Sequence, residues 1–425
     1  MTISSKFSDN LLFVFAVSMP LSIFQFHRIP LSLVLLLSYM LVTGFSDIKI
    51  KMSRENALFL CLGTLSLIST GMCMASDMGN SWKLSGFFNL FLFLILLYFK
   101  FFYSEIIKID LIIKGLKLGC LFNLAWCYIQ LAFYNLCGID VNDLIFHQSL
   151  NLMETASAYR DGSEFCVTGF GWHPAQLVPI IILSYFMFDN LLVRILIIGV
   201  SVFSNNSTCL ITMAFCVVGT LLIEIIKGKG ELKARRVSSC IVMLIVFIVA
   251  SFFNYDLLAS IVEKFGVLID RIGQVLQSSY IEDKSTFIHA RYYSYYPNIF
   301  SKQTILQKLF GIGYECSGYP YTQDLDQYSV LNDWIPETDY INFIIGRGWI
   351  WTILFYSWLI YGFFKARKLS AFYILYAIIV VICGVVYNNQ FWWVIIAEII
   401  MIEATKNNKN IFDTPLSEKI SLAGL

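Results

Sequence analysis

Charge is what this chain has least of: 14% of its 425 residues are Asp, Glu, Lys or Arg, against about a quarter in soluble globular domains. With 58% of the residues apolar, that scarcity excludes an ordinary soluble fold and leaves an all-α, polytopic membrane protein. Histidine is scarce as well, with four in the chain. There is no His/Glu cluster at helical i, i+4 spacing, no aspartate pair and no Cys-x-x-Cys, so no metal and no cofactor is expected. Internal repeats, low-complexity linkers and Pro/Gly/Ser-rich separators are missing, so residues 1–425 are read as one membrane domain. No small-residue cleavage site follows the first apolar run, which meets His27-Arg28-Ile29-Pro30 and then a second run, so no removable signal peptide is expected.

The eleven cysteines lie mostly inside apolar runs, where a thiol behaves as a small buried hydrophobe. Cys137, Cys166 and Cys316 fall in or beside polar connections, where a disulfide is allowed without being demanded.

A hydrocarbon core about 30 Å thick takes about 20 apolar residues per helix. Runs of that kind predict about twelve spans: 10–26, 30–46, 56–75, 85–102, 112–136, 173–189, 191–204, 208–226, 239–253, 340–364, 371–387 and 391–404. Alternate connections are basic, and the side they share with the two termini, ends of spans included, carries 20 of the 30 Lys and Arg residues. Basic loops stay in the cytoplasm, so both termini are expected there, with the connections 137–172 and 254–339 facing outward. All four histidines fall on that outward side.

The connection 254–339 is the one long polar segment. Leu257, Ile261, Phe265, Leu268, Ile272 and Leu276 recur at helical spacing and predict an amphipathic surface helix over 256–277. Ser285 is placed to cap a second helix that Pro297 disturbs, and Gly311 and Gly313 predict a turn that larger residues would not follow.

Arg160 and Arg291 stand on the two outward connections, and a guanidinium offers paired donors that match phosphate oxygens. Their plain alternative is a solvated surface charge. Eleven of 23 tyrosines, Tyr292 and Tyr314 among them, fall between 254 and 340. Aromatic rings there suit a glycan-handling groove, and equally an aromatic belt at the membrane interface. Glu337 and Asp339 form a carboxylate-rich edge that can take a proton from an attacking hydroxyl, or can simply be solvated there. His173 sits at the lip of the sixth span, and Arg347 lies inside the tenth, where an isolated charge is costly.

Several of these features together resemble the bacterial O-antigen polymerases: twelve spans, Arg160 with Gly171, Arg291 with Leu309-Phe310-Gly311-Ile312-Gly313, and Glu337-Thr338-Asp339-Tyr340-Ile341-Asn342 with Gly346 and Gly348. The resemblance implies a membrane-embedded glycosyltransferase of the GT-C-like kind, working without metal on the periplasmic face of the inner membrane. It would join undecaprenyl-pyrophosphate-linked repeat units, with Glu337, Asp339 and His173 in catalysis. Arg160, Arg291, Tyr292, Tyr314, Gly311 and Gly313 would bind pyrophosphate and sugar. The implied partners are the lipid-linked donor and acceptor, membrane lipid and a regulator of chain length, and no nucleic acid. Two departures stand out: Lys302 rather than glycine follows Arg291 at the family spacing, and the junction has Glu337 and Asp339 where ligases carry histidine. The related ligase, and a lipid-sugar flippase from a different class, are the alternatives.

Overall fold

The computed structural model describes residues 5–26, 29–43, 54–103, 108–152, 159–160, 164–171, 174–188, 190–204, 207–227, 231–253, 259, 296–313, 316–322 and 339–365. They are mostly helical: α1 Ser5–Ser18, α2 Leu31–Thr43, α3 Arg54–Met74, α4 Asn80–Tyr103, α5 Ile109–Cys137, α6 Pro174–Met187, α7 Leu191–Phe203, α8 Ser207–Lys227 and α9 Glu231–Phe252. After these come α10 Ile305–Phe310, α11 Tyr319–Thr322 and α12 Asp339–Lys365. Two minimal antiparallel ladders, β1 Gln25–Phe26 with β2 Ile29–Pro30 and β3 Tyr159–Arg160 with β4 Glu164–Phe165, brace connections between helices.

Helices stand at ten of the expected spans, and the runs 371–387 and 391–404 lie outside the described residues. Among the described residues, Ala57–Met74, Asp110–Cys137 and Arg236–Phe253 are long and apolar enough to cross a membrane. On α9, Ile241, Ile245, Ile248, Val249 and Phe252 form one exposed stripe. In water such a stripe is unfavourable; against lipid it is the face that meets solvent.

One expectation needs correcting. The first run does not stay helical to residue 26. α1 stops at Ser18 and the chain turns through Met19–Ser22, because a proline at position 20 disfavours helical backbone in the residue before it. Helical backbone runs over 296–302, Pro297 included, and the residues before it lie outside the described ones. The expected helices over 256–277 and from Ser285 lie outside the described residues.

α1 packs closely along α5. Gly115 and Gly119, four apart on one face of α5, sit against the α1 backbone: a Cβ on them would lie 2.6 Å from the Phe13 carbonyl oxygen and 2.3 Å from that of Val17. Small residues at this spacing let two apolar helices approach until their backbones touch. One large core runs from α1 and α5 through α6, α7 and α8 to α3, α4 and α12, with Phe15, Tyr185, Phe343, Trp351 and Phe355 among its buried rings.

Two smaller clusters gather at the connections. Ile23 and Phe146 pack with Phe24, Trp126 and Phe170, and the Ile23 N–H donates to the Phe170 carbonyl at 2.7 Å. Cys73, Met78 and Trp82 pack with Ile299, Ile312 and Cys316. Each cluster therefore ties a short connection (19–30 or 75–79) to a long one.

Candidate functional site

The glycine turn is built from α10 onward. Thr304 caps α10 in a reciprocal box with Gln307: the Gln307 N–H donates to Thr304 Oγ1 at 3.3 Å, and the Thr304 N–H donates to Gln307 Oε1 at 2.9 Å. The helix ends at Gly311, whose φ is +82°, and Gly313 has φ +146°. The turn these glycines make docks on α12. The Ile312 and Gly313 N–H groups donate to the carbonyls of Ile345 and Gly346, each at 3.0 Å.

Those two carbonyls are available because α12 breaks beside them. Gly348 takes φ +82°, ψ 168°, a conformation open essentially to glycine alone. The contact leaves no room for a side chain on either strand: a Cβ at Gly311 would lie 2.2 Å from the Gly346 oxygen, and one at Gly348 would lie 2.3 Å from the Leu309 oxygen. Ser69 of α3 donates a further hydrogen bond to the Gly346 carbonyl at 2.5 Å.

Arg347 lies between the two glycines of the break and is 3% exposed. Its guanidinium carbon is 4.4 Å from the Phe343 ring centroid and 4.3 Å from that of Trp351, so two aromatic faces one turn either side hold the cation. Trp351 is itself fixed, its indole N–H donating to the Leu62 carbonyl at 3.2 Å and to Ser66 Oγ at 3.1 Å. Ser317 Oγ donates to Asn342 Oδ1, tying the segment after the turn to the first half of α12.

The other expected site residues are distributed as follows. Asp339 opens α12. Arg160 stands in the β3–β4 ladder opposite Glu164. That hairpin is anchored on different helices from the glycine turn: Phe165 stacks on Tyr134 of α5 at 3.9 Å, and the Val167 N–H donates to the Ser204 carbonyl after α7 at 3.0 Å. His173, Arg291, Tyr292, Tyr314 and Glu337 lie outside the described residues.

A second polar constellation was not singled out from the sequence. Gln130 of α5 accepts the Gly169 N–H at 2.8 Å, and Asn142 donates to Thr168 Oγ1 and to the Gly169 carbonyl, each at 2.8 Å. Trp126 donates to Asn142 Oδ1 at 2.7 Å, and Asn123 donates to the Pro20 carbonyl at 2.7 Å. Asn123, Trp126 and Gln130 recur at spacings of three and four along one face of an apolar helix, which is the signal that could have revealed them.

Beside this network Asp140 is 7% exposed. It accepts the Asn142 N–H on Oδ1 at 3.0 Å, while among the described residues its Oδ2 has no hydrogen-bond partner. Burial pushes this carboxyl up from its ordinary value of 3.8; the N–H groups of Asn142 and Asp143 pull it down, and the Asp143 charge adds to the rise. A folded value above the unfolded one means a contribution to stability that is full below 3.8 and is lost as pH rises through the folded value. The melting temperature of the wild type minus that of Asp140→Asn, measured in detergent, should therefore fall as pH is raised out of the carboxylate range. A difference that stays level or grows would place the titration elsewhere.

No protein-family model matches the chain, and comparison with curated proteins and with solved structures finds no similar protein.

Proposed function

We propose that this protein is an O-antigen polymerase, a metal-independent membrane glycosyltransferase of the bacterial inner membrane. It joins undecaprenyl-pyrophosphate-linked oligosaccharide repeat units at the periplasmic face, and both of its termini lie in the cytoplasm. One observation carries the reading. Leu309–Gly313 and Gly346–Gly348, two of the stretches on which the family resemblance rests, are docked backbone to backbone at a break in α12, around a buried arginine. A simple anchor needs neither a broken helix nor a cation buried within it, and an ionisable group buried in an apolar helix marks function by default.

In the reaction, a hydroxyl oxygen on the terminal sugar of a fresh repeat unit attacks the anomeric carbon of the growing glycan. The bond from that carbon to the pyrophosphate oxygen breaks, and undecaprenyl pyrophosphate leaves with the electron pair. Glu337 or Asp339 takes the hydroxyl proton, with His173 as a further acid or base. Arg160 and Arg291 hold the pyrophosphate oxygens as their charge develops, and Tyr292 and Tyr314 stack on sugar faces. Gly311 and Gly313 complete the set of residues assigned to pyrophosphate and sugar.

A ligase is the lesser reading because the junction before α12 carries Glu337 and Asp339 where ligases carry histidine. The lipopolysaccharide of a deletion strain separates the polymerase from both the ligase and the flippase. Core bearing a single repeat unit is expected; bare core would mean a ligase or a flippase instead.

A further inference from the structure

The Sγ atoms of Cys73 and Cys316 stand 3.5 Å apart, both residues are fully buried, and 243 residues separate them in sequence. Cys73 is at the last turn of α3, and Cys316 follows directly on the glycine turn, its N–H donating to the Gly313 carbonyl at 3.0 Å. Gly313 makes their approach possible: a Cβ there would lie 2.5 Å from Cys73 Cβ and 3.1 Å from Cys316 Sγ. Met78 and Trp82 close the surroundings, with the Cys73 thiol 3.8 Å from Met78 Sδ and that of Cys316 3.5 Å from the Trp82 carbonyl oxygen.

We propose that Cys73 and Cys316 form a disulfide that staples the glycine turn to α3. This rests on the outward placement of the connection 254–339 given above, since an oxidising compartment keeps disulfides and the cytoplasm does not. A bond of about 2.05 Å requires the two sulfurs to approach by about 1.5 Å, which side-chain rotation beside a glycine can supply. The oxidant is a disulfide of a thiol–disulfide exchange protein. The thiolate of one cysteine attacks it, releasing one donor thiol and leaving a mixed disulfide. The thiolate of the other attacks the sulfur of the first, closing the intramolecular bond and releasing the second donor thiol. Two thiols are oxidised and one disulfide is reduced. Because both sulfurs are enclosed in the finished structure, the exchange belongs to assembly, before the turn settles on α12.

The staple has a structural reason. The turn meets α12 through two backbone hydrogen bonds and the buried Ile312, and it meets α3 through the contact of Cys316 with Cys73. A covalent link across so long a stretch of chain restricts the states in which the turn has left α3, and that effect grows with the length of the closed loop.

The test uses the full-length protein in its own membrane. Whole cells are treated with N-ethylmaleimide to block free thiols; the protein is purified, denatured with fresh N-ethylmaleimide and digested without reductant. A cross-linked peptide containing Cys73 and Cys316, lost on reduction and lost in both Cys73→Ser and Cys316→Ser, is expected. Recovery of the two cysteines as separate alkylated peptides, or of Cys316 joined to a different cysteine, would overturn the proposal. A reporter fused at Gln327 separates the causes of failure: an outward signal with reduced cysteines refutes the staple alone, whereas a cytoplasmic signal refutes the outward loop on which it depends.

Discussion

Gly348→Ala is expected to abolish polymer formation and to remove most of the folded protein. The backbone at 348 has φ +82° and ψ 168°, and a new Cβ would sit 2.3 Å from the Leu309 carbonyl oxygen and 2.5 Å from the Gly311 nitrogen. Holding alanine in such a conformation costs about 1–3 kcal/mol. Relieving the overlap costs about 1–3 kcal/mol more, since both opposing atoms are backbone and neither can swing aside. Against a native stability of about 5–15 kcal/mol, the sum is large. Gly311→Ala should act in the same direction, because its Cβ would meet the Gly346 oxygen at 2.2 Å. Gly71→Ala is the matched control: Gly71 lies inside α3 with no atom within 4 Å of a Cβ, and alanine favours a helix by about 1 kcal/mol. Melting in detergent and the polymer ladder should both collapse in the first two variants and hold in the third. A normal ladder from Gly348→Ala would show that the docked turn is not needed for function.

Arg160→Ala and Arg291→Ala carry the second large effect. If the two guanidinium groups hold pyrophosphate oxygens while the glycosidic bond breaks, removing either takes away a donor aimed at developing charge. Losses of that kind run to about 3–4 kcal/mol, roughly a hundredfold to a thousandfold in rate. Lysine keeps the charge without the paired donors, so Arg→Lys should be impaired by less than Arg→Ala. A surface arginine in an ordinary ion pair is worth about 0–1 kcal/mol, and its loss would leave chain length near normal. At matched expression, both alanine variants should give single repeat units, while Lys302→Ala, at an exposed position, should give the wild-type ladder. Normal ladders from both arginine variants would return these residues to surface charges.

How much of this was legible in the sequence depends on range. Helices α2 to α9 and α12 stand where apolar runs predicted helices, and α1 covers the first part of its run, because a long apolar helix declares itself by length and hydropathy; among the described residues α3, α5 and α9 are long and apolar enough to cross a membrane. The break inside α12 was hidden: the apolar run continues on both sides of Gly346-Arg347-Gly348, and hydropathy does not register a change of backbone dihedral. Gly311 and Gly313 could be read as a turn, and Arg347 as a costly charge. That they meet could not be read, because the link is two hydrogen bonds between main-chain atoms, which leave no side-chain pattern. Gln130 of α5 is readable as part of a polar stripe, but its partner, the Gly169 N–H, leaves no pattern of its own, and the Asn142–Thr168 bond joins two residues of the connection after α5. Cys73 is the sharpest case: inside an apolar run it reads as one more small hydrophobe, and only the fold sets it beside Cys316.

We propose that a glycosidic bond is made at the docked turn and the connections around it, on lipid-linked substrates and without a metal. The decisive assay is purified protein reconstituted in liposomes with undecaprenyl-pyrophosphate-linked repeat units, in excess chelator. Products of two and more repeat units on the lipid carrier, absent with Arg160→Ala, are expected. Single units left unchanged under chelator but polymerised once a divalent ion is restored, or glycan transferred only when lipid A core is supplied, would contradict it.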